Sequence, residues 1–361
     1  MRNTCYKELL LKIRYFKIKI ISFLFFFLIF LILKNNYRKK KIGVIGLEHS
    51  LNIGNILLKY AMFTELQNLG YDPYIVGMNI THDISFIQNT TKLILINSSY
   101  SEIKQNDFDI LMVNSDQTWR KWPLYNYKYF YDIAFLKFAD KWDIPKFVYG
   151  ASLGINNWEK FNEDDQKIAK ILLKNFSGIS VREKGSINLI ENYLGIRPNF
   201  VLDPTLLIDK KYYLCLIKNY NGNISSNNDY IFFYTITEVY NLTKIINKIT
   251  EQKKYKIFST KYDIKDFIFG IYYSKGVITD SFHGTVFSII FQKPFITLVN
   301  EKSGEERFNS LKDIFNIGNR LFDVNSEPDI SLLEKPLNLK MNLFNELKKQ
   351  SIQFIIKNLK S

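Results

Sequence analysis

The sequence predicts two doubly wound α/β halves facing a cleft, preceded by an apolar N-terminal segment. Three observations lead there. Short apolar runs alternate with helical stretches along residues 42–202 and again along 230–299, as expected for parallel sheets covered by helices. A polar stretch rich in Asn, Ser and Gly, 218–229, separates the two series. Several runs also end in small and polar residues, which places chemistry at the carboxyl ends of strands, where open α/β sheets bind ligands. The chain then divides into a basic arm (1–41), an N-terminal half (42–217), a linker (218–229), a C-terminal half (230–335) and a closing helix within 336–361.

Each element has a local reason. Residues 42–46 make a first buried strand, a loop runs to Asn55, and a helix covers 56–69 with Gly70 as its stop. Strands follow at 73–76 and, after an uneven stretch, at 109–113 and 146–149. A helix at 163–175, a strand at 178–181, a helix at 186–193 and a strand at 199–202 complete the first series. The second reads strand 230–234, helix 242–252, strand 255–258, helix 264–273, strand 276–279, helix 284–291 and strand 294–299. Leu343, Phe344, Leu347, Ile355 and Leu359 give the final segment one apolar face.

With 361 residues and 47% hydrophobic content, the chain can build about two packed domains. A net charge of +14 suggests nucleic acid until it is located. Residues 1–41 hold eleven Lys and Arg against one acidic residue, Glu8, while the other 320 residues carry 38 basic and 34 acidic side chains. The body is close to neutral, so no nucleic-acid partner is expected. Within the arm, residues 20–33 are apolar except Ser22 and include five Phe. As a helix they reach about 21 Å, short of the ~30 Å hydrocarbon core. Lys17, Lys19 and Lys34 can extend that span by snorkelling. No small-x-small cleavage site follows, and basic residues on both flanks leave a crossing without a preferred direction. Spanning and interfacial placement both fit. The flanks favour attachment of residues 15–41 to the anionic cytoplasmic face of the cell membrane. Cys5 and Cys215 are too few for a disulfide framework or metal site, and no metal cluster is visible.

Five stretches carry side chains suited to chemistry. Thr279-Asp280-Ser281-Phe282-His283-Gly284-Thr285 sets a carboxylate, a hydroxyl and an imidazole where a buried strand meets a helix start. The free N–H groups there suit a phosphate or carboxylate, and Gly284 lets the helix approach strand or ligand closely. The plainer alternative makes Ser281 a helix cap. Asn52-Ile53-Gly54-Asn55 either offers amides to a sugar or phosphate, or caps the following helix. Ser115-Asp116-Gln117-Thr118-Trp119 reads as a sugar-holding set of carboxylate, amide and indole, or as a capped turn over a core Trp. Ser180-Val181-Arg182-Glu183 ends a strand in a guanidinium fit for bidentate anion binding, or in a surface charge pair. Arg307, in Glu305-Glu306-Arg307-Phe308, is a second candidate cation.

Taken in order, Asn52-x-Gly54-Asn55-Ile56-Leu57-x-x-Tyr60-Ala61, Ser115-Asp116-Gln117-x-Trp119, Ala151-Ser152-x-Gly154, Ser180-Val181-Arg182-Glu183, Leu202-Asp203-Pro204-Thr205, the His283 stretch and Glu306-Arg307-Phe308 make the chain resemble the polysaccharide pyruvyl transferase family. The match runs over roughly residues 42–325. It implies two Rossmann-like halves, similar to B-type glycosyltransferases (GT-B-like). It also implies transfer from phosphoenolpyruvate to a sugar of a cell-surface polysaccharide, exopolysaccharide or capsule, or to its lipid-linked precursor. The product is a pyruvate ketal, phosphate is released, and no cofactor is needed beyond phosphoenolpyruvate as donor. By the resemblance, Arg182 and His283 lie at the donor site with Ser281 beside them, converging on one anion. His283 is the fitting acid–base group because imidazole titrates near neutrality. Arg182, Arg307 and the helix amides after His283 hold the donor's phosphate and carboxylate. Asp116 takes a proton from the acceptor or orients the sugar. Asn52, Gly54, Asn55, Ser115, Gln117, Trp119 and Gly284 line the substrates, and Asp280 and Glu183 support from behind. Asn114 departs from the family's usual Gly, and its tolerance of positive φ would preserve the turn. Leu58 and Lys59 replace the usual Gln-Ala on a helix face. Two other readings remain: a glycosyltransferase using a nucleotide sugar, and a non-catalytic, membrane-tethered polysaccharide-assembly subunit.

Overall fold

Parallel strands build two sheets, one along each half of the chain body. The structure, a computed structural model, describes residue 19 and residues 38–47, 52–78, 84–120, 127–154, 161–222, 224–225, 229–237, 242–300 and 304–361. The apolar segment 20–33 lies outside the described residues. Among those described, no helix is long and apolar enough to cross a membrane.

The first sheet contains β1 (Lys41–Ile45), β2 (Asp72–Met78), β3 (Leu93–Ile96), β4 (Ile110–Val113), β5 (Lys146–Ala151), β6 (Gly178–Val181) and β7 (Asn199–Phe200). Its spatial order is β3-β2-β1-β4-β5-β6-β7, with Ile42 opposite both Pro73 and Ile110. This is the dinucleotide-fold order with one strand added, and the order reverses between β1 and β4. The second sheet contains β8 (Tyr230–Tyr234), β9 (Lys256–Ser259), β10 (Gly276–Thr279), β11 (Phe295–Val299) and β12 (Leu321–Asp323). It is ordered β9-β8-β10-β11-β12, the flavodoxin-type order, with its reversal between β8 and β10. Strands covered on both faces must be apolar throughout, which is why β4 reads Ile-Leu-Met-Val and β8 Tyr-Ile-Phe-Phe-Tyr, every residue buried.

The helices are α1 (Ile53–Asn68), α2 (Ile84–Thr90), α3 (Tyr127–Phe135), α4 (Glu163–Leu173), α5 (Gly185–Leu194), α6 (Lys210–Leu216), α7 (Leu242–Lys253), α8 (Ile264–Tyr273), α9 (Phe282–Ile290), α10 (Glu305–Phe315) and α11 (Met341–Leu359). One core takes side chains from both halves: Met112 and Phe147, Phe232 and Val277, joined by Ile56, Phe267, Phe287 and Ile355 from α1, α8, α9 and α11. Because α1 lies in this shared core, it is buried from Ile53 through Leu66, a pattern no amphipathic surface helix shows. Leu58 and Lys59 are both buried in it. Separate apolar clusters cover the other face of each sheet. The last helix, α11, returns to the first half, where Phe354 packs on Phe147 and Tyr149 and Ser351 Oγ accepts the Leu202 N–H at 2.9 Å. Residues 41–361 form one compact unit.

The expected elements differ from the observed ones mostly at boundaries, and α2, α3, α6, α10, β3 and β12 were not among those expected. Helix α1 starts three residues early because Asn52 Oδ1 accepts the Gly54 N–H at 2.9 Å, so Gly54 and Asn55 belong to its first turn. Helix α9 starts at Phe282 for the same reason: Ser281 caps it. Strand β7 ends at Phe200, and Val201 and Leu202 lead into a turn capped by Asp203. Short α2 and the edge strand β3 fill the uneven stretch; β3 is too exposed, with Leu95 at 44%, to read as a buried strand.

Candidate active site

Side chains from the carboxyl ends of β1, β4, β6, β7 and β10 meet in one buried cluster. Arg182, the residue after β6, is its centre and only 4% exposed. Its Nη1 donates to Asp203 Oδ2 at 2.5 Å and its Nη2 to Asp116 Oδ1 at 2.9 Å. Its Nε lies 3.5 Å from Glu183 Oε1. Burial opposes the guanidinium's charge, but Asp203, Asp116 and Glu183 outweigh it and raise its proton affinity above the ordinary value. Burial would likewise raise Asp116 and Asp203; Arg182 chiefly, with His283, holds both carboxyls below the usual range. Glu183 goes the other way. For it burial wins over Arg182, Ser152 and Arg307, and its carboxyl is raised.

The second half brings His283 to the same place from the first turn of α9. The imidazole is 3% exposed. Its Nε2 lies 3.7 Å from Asp203 Oδ2 and has no hydrogen-bond partner. On its other edge it presses on α1: a Cβ on Gly54 would sit 2.0 Å from Nδ1, so only glycine fits there. Phe282 spans two cations, with its ring centroid 5.0 Å from Arg182 Cζ and 5.6 Å from Arg307 Cζ. Burial and the neighbouring Arg182 pull the Arg307 guanidinium down to about 10. Arg182, Asp203, Phe282, Arg307 and Ser310 border a void of about 10 Å³, room for one water.

Asp116 is held in a backbone conformation that L residues avoid, with φ at +94°. Its carbonyl accepts the N–H groups of Thr118 at 2.7 Å and Ser152 at 2.9 Å, while its side chain is tied to Asn55 Nδ2 at 2.8 Å and to Arg182. Such a residue costs about 1–3 kcal/mol and persists only where its surroundings over-determine it, commonly at functional sites. This corrects the expectation for Asn114. The left-handed residue of the turn is Asp116, and Asn114 instead donates its N–H to Ile45 O at 2.6 Å and accepts the Ser115 N–H on its own Oδ1.

The structure therefore brings together Asn55, Asp116, Arg182, Glu183 and His283, with Gly54 as the point of contact. Other candidates stand elsewhere. Trp119 presents no face to a sugar: it is 0% exposed and its Nε1 donates to Ala134 O at 2.9 Å, so the core-Trp alternative holds. Ser115 Oγ donates to Gly150 O, and Gln117 packs on Gly154 while accepting from Arg120. Ser281 Oγ accepts the Gly284 N–H at 3.3 Å as a helix cap, and Gly284 allows close approach to the strand, where a Cβ would meet Thr279 Oγ1 at 2.2 Å. Asn52 caps α1. Asp280 fixes the loop after β8 by accepting the N–H groups of Ile236 and Thr237 at 2.7 and 2.8 Å. Arg182 and His283 do converge on one anion. It is a carboxylate of the protein, Asp203, and each Nη of Arg182 already donates to a carboxylate, Nη1 to Asp203 and Nη2 to Asp116. Asp203 had no assigned role in the sequence, and it also caps the turn that follows. The signal was its place at the end of a strand adjoining the one that ends in Arg182.

Two facing parallel sheets, with a charge cluster and an imidazole between their strand ends, define a GT-B-like α/β protein. The chain belongs to the polysaccharide pyruvyl transferase family, whose model matches residues 52–302. No curated protein sequence matches it closely enough to show kinship. Among solved structures it is similar to UDP-GlcNAc 2-epimerase from Neisseria meningitidis bound to UDP-GlcNAc, at 13% identity over 88% of this chain and 100% of that one, TM-score 0.55. It is also similar to UDP-GlcNAc 2-epimerase from Methanocaldococcus jannaschii, at 14% identity over 88% and 99%, TM-score 0.53. Arabidopsis thaliana UGT89C1 complexed with UDP-L-rhamnose aligns at 9% identity over 90% and 98%, TM-score 0.50. These likenesses extend to the fold alone.

Proposed function

We propose that this chain transfers the pyruvyl group of phosphoenolpyruvate to two hydroxyls of a saccharide, forming a ketal and releasing phosphate. The observation that carries the reading is His283, seated in the first turn of α9 and against the cluster that holds Asp116. The reaction requires a proton on the donor's methylene carbon and addition of a first hydroxyl at the central carbon. The C–O bond to phosphate then breaks, a second hydroxyl closes the ketal, and both hydroxyl protons are lost. His283 is the group to move these protons. Asp116 is held ionised by Arg182 and is a weak base, so its part is to orient an acceptor hydroxyl. In this reading Arg307 and the amides at the start of α9 not taken up by the Ser281 cap receive the donor's phosphate and carboxylate. Arg182 works indirectly, by fixing Asp116 and Asp203. Attachment of residues 15–41 to the cytoplasmic membrane face would bring the body to a lipid-linked acceptor.

The test is phosphate release by the purified full chain from phosphoenolpyruvate with a panel of sugar acceptors. His283→Gln, which keeps the side chain's bulk, is expected to lose about 10²–10⁴-fold in turnover with its unfolding midpoint little changed. Unchanged turnover removes His283 from the chemistry. Release of nucleotide from a nucleotide sugar, with none of phosphate from phosphoenolpyruvate, overturns the reading in favour of glycosyl transfer.

A further inference from the structure

We propose that Asp203 is the positioning residue of His283: it fixes the imidazole with a proton on Nε2 and the lone pair on Nδ1, the ring nitrogen packed against Gly54. This rests on the reading of His283 as the proton-transfer group. Asp203 is immobilised from every side. Its Oδ1 accepts the Thr205 N–H at 3.0 Å and the Thr205 hydroxyl at 2.6 Å, and its Oδ2 takes Arg182 Nη1. The residue before it is braced as well: Leu202 donates its N–H to Ser351 Oγ, and its carbonyl accepts from the Tyr149 hydroxyl at 2.8 Å. Oδ2 therefore cannot swing away from the ring.

A carboxylate can only accept. His283 Nε2, buried and with no other partner, faces that oxygen at 3.7 Å. A lone pair on Nε2 would meet the carboxylate's own lone pairs, whereas an N–H there meets an acceptor. The distance exceeds a hydrogen bond but lies within ion-pair reach, so an imidazolium formed when Nδ1 takes a proton gains a fixed counter-charge. Nδ1 is packed on Gly54 in the first turn of α1, next to Asn55, whose Nδ2 donates to Asp116 Oδ2. The arrangement joins the halves, because Asp203 follows β7 of the first sheet and His283 follows β10 of the second.

Long-range ¹H–¹⁵N correlation on the histidine-labelled full chain reads the tautomer directly. The sequence has three histidines, and loss of one set of signals in His283→Gln assigns this one. The neutral ring is expected to carry its proton on Nε2; an Nδ1-protonated ring overturns the proposal. In phosphate release, Asp203→Asn is expected to lose ten- to a hundredfold in kcat, a share of the acid–base contribution, with KM for phosphoenolpyruvate changed less than threefold. Retained kcat with a raised KM would make Asp203 a determinant of donor binding and overturn the assignment. Should Asp203→Asn not fold, Thr205→Val, which removes the hydroxyl donor to Oδ1 and keeps the backbone one, is expected to lower kcat several-fold, and an unchanged kcat counts against the proposal. A wild-type chain that releases no phosphate defeats the functional reading alone, since the tautomer is read without turnover.

Discussion

The loops after β4 and β10 hold the same station in their two sheets, each following the strand just past the reversal of order, yet they spend their carboxylates differently. Asp116 turns toward the cleft and is neutralised by a guanidinium. Asp280 turns away and is satisfied by two backbone amides and a hydroxyl of the loop after β8. The front half consequently gathers three carboxylates around one Arg182. The rear half presents a helix N-terminus, an imidazole and, from α10, Arg307. Equivalent topology has been given opposite electrostatics. Under the proposed reaction, the anionic donor would belong to the rear half and the neutral sugar hydroxyls to the front.

The comparison breaks most easily at Arg182. If it is the keystone of the front cluster, Arg182→Met leaves buried carboxylates uncompensated, and unfolding stability should fall by about 3–5 kcal/mol in a denaturant titration. Arg182→Lys should not restore it, since a single ammonium cannot serve two carboxylates in the fork geometry. Full stability with only a raised KM for phosphoenolpyruvate would make Arg182 a donor ligand and dissolve the contrast between the halves.

How far all this was legible depends on what each residue answers to. Strands such as β4 and β8 could be read because burial on both faces demands apolar residues whatever the partner strand. Strand β3 and helix α2 escaped because short edge elements take their order from neighbours. In the site, Arg182 and His283 were visible as reactive types at strand ends. The identity of their common anion was not, because Asp203 answers to contacts 21 and 80 positions away, with Arg182 and His283. Trp119 was misplaced among the substrate-lining residues for the mirror reason: a sequence shows an indole, and only packing shows whether its face is covered.

The contact between the halves is sharpened at Gly54. Gly54→Ala drives a Cβ into the His283 ring, and relief requires α1 and α9 to separate. Overpacking of this kind costs about 1–3 kcal/mol, measurable as a lowered unfolding midpoint, and the displaced imidazole should cost kcat as well. Gly284→Ala is the control within one half: its Cβ strikes Thr279, so stability should fall similarly while the Gly54–His283 contact stays. Equal kcat losses in both would mean that the inter-half contact has no special place in the chemistry.

The smallest effect separates charges that the front cluster uses from one it merely tolerates. Glu183 is the carboxyl whose burial outweighs its cationic neighbours, so its proton affinity is raised in the folded chain, whereas Asp116 and Asp203 are lowered. A raised carboxyl binds protons more tightly folded than unfolded. Its contribution to stability is therefore full below the ordinary glutamate range and is lost as pH climbs from about 4.5 through the raised folded value. Glu183→Gln should match wild type near pH 4 and be the more stable protein at pH 8. Asp116→Asn and Asp203→Asn should show the reverse trend, losing most relative to wild type at neutral pH, where their ionised forms serve Arg182. Stability curves of the three variants from pH 2 to 8 check the assignment, the aspartate variants converging on wild type only below about pH 4, and a Glu183→Gln chain less stable than wild type at pH 8 would place Glu183 among the charges on which the cluster depends.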